Sequence, residues 1–143
     1  MRFEHDVVIE GASVDEVFAS VSDFNRAHEW RTEVTASTME PAGPMRLGSR
    51  LHEVASVNGR TVVTDSVIDS FAAPHRFTFA HVSGPLPVSG EYRVDATGDG
   101  ARLTYVLDVT LTGAWVLMAP VLRRSGRRMI AASLEAFAAL LRR

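Results

Sequence analysis

The chain has 143 residues, no cysteine, a formal net charge of −2, 46% hydrophobic residues and 22% charged residues. That is the size and make-up of one globular domain with its own core, and it excludes a disordered tail protein, a disulfide framework, a thiolate zinc site and a cysteine nucleophile. The longest apolar run, Ala114 to Leu122, is too short to span a bilayer, and Glu4, Asp6 and Glu10 interrupt any signal-like start. A cytoplasmic protein with no stable membrane insertion is expected.

Phe3 to Ile9 alternates as a strand, with Phe3, His5, Val7 and Ile9 on one face and Gly11 beyond its end. Ser13 followed by Glu16 is a capping-box pattern, and Val14, Val17, Phe18 and Val21 supply the apolar stripe of a short helix. Asp23 caps a second short helix that runs to about His28 and ends near Trp30. From Thr32 to Leu111 the period is two. Turn residues at Pro41–Pro44, Asn58-Gly59, Ala73-Pro74-His75, Gly84-Pro85-Leu86-Pro87 and Gly98-Asp99-Gly100 divide this stretch into strands at about 32–40, 48–57, 60–71, 76–82, 88–96 and 101–111. Asn58-Gly59 is a two-residue hairpin signal, because both residues tolerate positive φ.

After Gly113 the period becomes helical. Leu122, Met129, Ile130, Leu134, Phe137, Leu140 and Leu141 form a stripe, Arg123, Arg124, Arg127 and Arg128 cover the other side, and Pro120 fits the first turn. A helix is predicted near 115–141. Charge divides at the same place: residues 1–112 hold nine arginines against sixteen acids, residues 113–143 six arginines against Glu135 alone. All 15 basic residues are arginine, which reads as genomic composition. The acidic body argues against nucleic acid as a partner. The arginine rows read most simply as the solvated face of this helix, with docking on an anionic membrane as the second reading.

No repeat or linker interrupts the chain, so residues 1–143 are expected to form one domain. Its class is α+β: a seven-stranded antiparallel curved sheet around a long C-terminal helix, with two short helices after the first strand. Sheet and helix each have one apolar face to hide, so the helix lies across the concave side. One long and two short helices do not fill such a sheet, and a cavity between them is predicted.

This order and its punctuation resemble the START-like, or SRPBCC, superfamily of helix-grip proteins, in particular its polyketide cyclase/dehydrase-type branch. The matching features are Val17-Phe18, Asp23-Phe24 with Trp30, Gly48, Gly59-Arg60, Pro74-His75-Arg76-Phe77, Gly98-Asp99-Gly100 followed by Leu103-Thr104-Tyr105, and Ala119-Pro120 before the arginine-flanked helix. The resemblance implies a ligand-holding cavity and places Trp30 near its mouth. It does not imply one chemistry, because the superfamily includes lipid carriers, hormone receptors, cyclases and co-chaperones.

Strand parity nominates the cavity residues. Phe77 and Phe79 face inward and carry His81 with them; Tyr92 and Val94 point in; Tyr105 shares a face with Leu103 and Leu107. Glu53 points in only if Leu51 does, and Arg50, His52 and Val54 offer a rival face. Met118 and Met129 come from the last segment, where Ser125, Gly126, Ala132 and Ser133 leave space. Each has a plainer reading: His81 as a rim or core histidine, Tyr92 and Tyr105 as core aromatics, Glu53 as a solvated carboxylate, Trp30 as structural, and the methionines as gap-fillers. No histidine pair has metal-ligand spacing, and neither a dinucleotide fingerprint nor a nucleophile elbow is present. No metal or cofactor is expected.

Two functions lead. The first is a binding protein for a hydrophobic small molecule (lipid-like, aromatic or polyketide-like), oriented in an apolar cavity by Tyr92, Tyr105, His81 and Glu53. The second is a metal-free cyclase or dehydratase. There His81 is the preferred proton-transfer group because imidazole titrates near neutral pH, Glu53 is its alternative, and Tyr105 donates to a developing enolate oxygen. A third class is an interaction or co-chaperone module using the arginine face or the 114–122 segment. A monomer or weak homodimer is expected.

Overall fold

A computed structural model describes residues 1–142. The elements are β1 (Arg2–Glu10), α1 (Val14–Val21), a 3₁₀ helix (Phe24–Glu29), β2 (Val34–Glu40), β3 (Arg50–Val57), β4 (Arg60–Ala72), β5 (Arg76–Ser83), β6 (Val88–Ala96), β7 (Gly100–Val109), a second 3₁₀ helix (Gly113–Met118) and α2 (Ala119–Leu141). The order matches the one predicted from periodicity. Ser13 Oγ accepts from the Glu16 N–H at 3.1 Å while Glu16 Oε1 accepts from the Ser13 N–H at 3.3 Å, so both halves of the capping box form. The second short helix is 3₁₀, and Asp23 makes no side-chain cap bond to it.

The strands form one antiparallel sheet in the order β1-β7-β6-β5-β4-β3-β2. Chain neighbours from β2 to β7 pair as a meander, and β1 closes onto β7 with Phe3 opposite Leu107 and His5 opposite Tyr105. Asn58 (φ 49°) and Gly59 (φ 81°) make the tight turn between β3 and β4. Register shifts at Val34/Ala36, Asp65/Ser66 and Ile68/Ser70 bend the sheet, as bulges do.

Several predicted boundaries move. The helix expected near 115–141 begins as α2 at Ala119, and the residues before it form the separate 3₁₀ helix Gly113–Met118; β3 begins at Arg50 rather than at 48; and β7 stops at Val109, short of Leu111. β2 begins at Val34 because the N–H groups of Arg31 and Val34 bond back to the carbonyls of Ala27 and Arg31, which makes 31–33 a turn.

α2 turns Leu122, Gly126, Ile130, Leu134 and Phe137 into the sheet. The helix comes close to β1 at Gly126, where a Cβ would stand 2.7 Å from the Phe3 ring. Phe137 meets Trp30 edge-on at 5.1 Å, and the Thr32 N–H donates to Ser133 Oγ at 3.3 Å. The helix is thus tied to both ends of the sheet, through β1 and through the turn before β2. No helix among the described residues is long and apolar enough to cross a membrane.

Candidate functional site

Between the sheet and α2 lies a cavity of about 280 Å³. Its walls are mostly aliphatic and aromatic, including Phe3, Phe79, Leu86, Leu107, Leu122 and Met129. The ladder gives it a direction. Along β3 the lining runs from Glu53 through Ala55 and Val57 to exposed Asn58 at the hairpin tip; along β7 it runs from Tyr105 through Leu107 and Val109 to Leu111 beyond the strand. The mouth therefore lies between the β3–β4 hairpin and the β7–α2 connection. Glu53 and Tyr105 stand at the inner end.

That inner end is polar and charged. Arg31 Nη1 donates to Glu53 Oε2 at 2.7 Å, Nη2 to Glu33 Oε1 at 2.7 Å, and Nε to the same Glu33 oxygen at 3.1 Å. Ser133 Oγ, from α2, donates to the other Glu33 oxygen at 3.3 Å. The side chains of Arg31, Glu33 and Glu53 are only 13%, 7% and 17% exposed. One guanidinium and two carboxylates make a formal charge of −1 in a place largely closed to water. Burial is the largest single influence on Arg31 and works against its charge; Glu53 and then Glu33 oppose it, and the guanidinium stays well above its usual pKa. Glu53 pairs across the ladder with Thr64, a further hydroxyl on the cavity wall.

An aromatic stack backs this end. Tyr105 and Tyr92 lie face to face with centroids 4.3 Å apart, Tyr92 continues onto Phe77 at 5.0 Å, and Trp30 meets Tyr92 edge-on at 6.4 Å. Burial pushes the Tyr105 hydroxyl up to about 12, with Arg31 opposing the shift and Glu53 adding to it. Burial, then Tyr105, holds Tyr92 well above the phenol range. Both phenols are neutral donors at physiological pH.

The nominated residues separate into three groups. Glu53, Phe79, Tyr105, Leu107 and Met129 line the main cavity. Trp30 and Tyr92 line a void of about 20 Å³ on the far side of the charged end, which Arg31, Glu53 and Phe79 border from both directions. Trp30 is therefore at the inner end rather than near the mouth. His81 and Met118 line neither space. His81 does follow the inward parity, opposite buried Ser66, but it lies one inward position past Phe79, beside the Asp65/Ser66 register shift, with Nδ1 buried and unpartnered. Met118 belongs to the 3₁₀ helix Gly113–Met118, none of whose side chains is buried.

Sequence reasoning missed Arg31 and Glu33. The available signal was Glu53 itself: a carboxylate on an inward face calls for a cation beside it. Periodicity starts a strand at Thr32, and parity is silent in the turn that stands there instead.

Fold and cavity together define a helix-grip protein of the START-like class. The chain belongs to the family described as polyketide cyclase / dehydrase and lipid transport, which matches residues 1–142. Among solved structures it is similar to a START superfamily protein from Mycobacterium smegmatis (18% identity, TM-score 0.76, covering 98% of each chain). It is similar also to a protein from Thermus thermophilus (16% identity, TM-score 0.80, covering 97% of this chain and 95% of that one). A third is the Zhui aromatase/cyclase from a Streptomyces species (17% identity, TM-score 0.72, covering 97% and 92%). At these identities the likeness concerns the fold. No curated protein sequence matches the chain.

Proposed function

We propose that the protein binds one small, largely apolar molecule in this cavity, with the molecule's polar end against Arg31, Glu53 and Tyr105. The observation that carries the reading is an apolar cavity whose inner end holds a buried group of formal charge −1. At about 280 Å³ the space falls near the lower limit of small-molecule sites, about 300–1,000 Å³, which suits a short chain or a small ring system.

The charge sets the kind of polar end. Arg31 is already matched by two carboxylates, so an incoming carboxylate meets uncompensated negative charge at low dielectric. A hydroxyl or protonated amine finds a free acceptor instead, since Glu53 Oε1 has no protein donor among the described residues. The test is displacement of N-phenylnaphthylamine, a neutral fluorescent probe, by decylamine, decanol and decanoate. The amine and the alcohol displace it at lower concentration than the acid, by at least about tenfold, or ~1.4 kcal/mol. Decanoate binding as well as decylamine, or no probe binding at all, would overturn the reading.

A second reading is supported by one feature. Neutral Tyr105 and Arg31-bound Glu53 both line the cavity, a donor and a carboxylate suited to moving a proton on a bound chain, as in a cyclase or dehydratase. Its test is single-turnover conversion of a candidate polyketide-like substrate by Tyr105→Phe and Glu53→Gln. Loss of conversion with binding retained supports catalysis. Parental rates in both variants remove it.

A further inference from the structure

We infer that the cavity mouth is a docking surface for an anionic lipid bilayer. Two features coincide there. The first is aliphatic: Val116, Leu117 and Val121 are 54%, 86% and 56% exposed, half of the large exposed apolar side chains among the described residues, gathered within six positions. They sit on the connection that continues from Leu111 at the rim of the cavity into α2. Clustered aliphatic surface of this kind is unfavourable in water unless something covers it.

The second feature is charge. Arg123, Arg124, Arg127 and Arg128 are all exposed, and none has a carboxylate within ion-pair distance among the described residues. Before residue 113, Arg26, Arg31, Arg76, Arg93 and Arg102 are paired and Arg2, Arg46, Arg50 and Arg60 are not, but only in α2 do four unpaired arginines fall within six positions, 123–128. From Gly113 to Leu134 there is no acid at all. Helical spacing places Val121, Arg124 and Arg128 on one outward face. Arg60, from the hairpin on the opposite lip of the mouth, stands 5.5 Å over the ring of Trp115 and brings a further cation to the patch.

A nucleic acid or an acidic protein would satisfy the arginines and leave the aliphatic tip unexplained. A bilayer satisfies both, with aliphatic side chains at the acyl boundary and guanidinium groups among the phosphates. Docking in this orientation would open the cavity toward the acyl layer, so an apolar molecule could pass between them without crossing water. That consequence rests on the binding reading; the docking itself does not.

The test is co-sedimentation of the full chain with vesicles of phosphatidylcholine, alone and mixed with phosphatidylglycerol. Binding is expected only to the anionic vesicles and to weaken with added salt. Arg124→Gln together with Arg128→Gln should weaken it by about fivefold per charge removed. Leu117→Ser with Val121→Ser should remove most of the remainder, while melting temperature and N-phenylnaphthylamine binding stay at parental values. Trp115 fluorescence should shift to the blue on anionic vesicles, a change absent in Trp115→Phe. Equal binding to neutral vesicles, undiminished binding by the Leu117/Val121 variant, or tighter binding to RNA than to anionic vesicles at the same salt would each overturn the proposal.

Discussion

Replacing Arg31 by leucine removes the cation shared by Glu33 and Glu53 and keeps much of the side chain's volume. Breaking a buried ion pair from one side destabilises by about 3–5 kcal/mol, because the surviving charge is left desolvated. Here two carboxylates lose their partner, but Glu53 keeps some contact with the cavity, so the lower figure is the better expectation: ~3 kcal/mol at pH 8. In a domain of this length that lowers the melting temperature by about 10 °C. Arg31→Leu combined with Glu33→Gln and Glu53→Gln should regain most of the loss, because the charges that lost their partner are gone. Thermal melts by circular dichroism at pH 8 decide the matter. An Arg31→Leu protein melting within a couple of degrees of the parent, or a triple variant no more stable than Arg31→Leu alone, would refute the assignment of Arg31 as the charge that holds this end together.

Tyr92 and Tyr105 are the only tyrosines in the chain, so alkaline spectrophotometric titration reads them alone. The folded protein should show no tyrosinate until pH nears about 12, the value for Tyr105, whereas in urea both should titrate near ~10. Because the folded pKa is the higher one, stability should fall as pH rises from ~10 through that range. Leu107→Trp, which fills the middle of the cavity wall, should abolish N-phenylnaphthylamine binding with the melt largely preserved; unchanged affinity in the folded variant would contradict the cavity. Gly126→Ala pushes a methyl group to 2.7 Å from the Phe3 ring and should lower stability by about 1–3 kcal/mol in a urea titration; a neutral effect would mean that α2 sits less closely on β1 than described.

The fold was legible because its signals are local and agree with one another. The period of two between turn residues, the Asn58-Gly59 hairpin and the helical stripe after Gly113 each act within a few residues. The inward set on β5, β6 and β7 followed from parity as well, which is why Phe79, Tyr105 and Leu107 were found. What parity cannot supply is depth. His81 is inward yet beyond the cavity, because the register shift at Asp65/Ser66 and the reach of the space are set by packing between distant segments. Arg31 and Glu33 were out of reach for a different reason: they lie in a turn, and their roles depend on Glu53 and Ser133, far along the chain. Trp30, placed by resemblance at the mouth, stands at the inner end, where Tyr92 and Phe137 hold it.

An apolar molecule in this cavity should lie with its tail toward the mouth and its polar end inward. A crystal structure of the protein with decylamine would settle the orientation. The alkyl chain is expected against Phe3, Leu107 and Met129, with the nitrogen within hydrogen-bonding distance of Glu53. Decylamine bound outside the cavity, or bound within it with its nitrogen at the mouth beside Asn58, would overturn the binding mode.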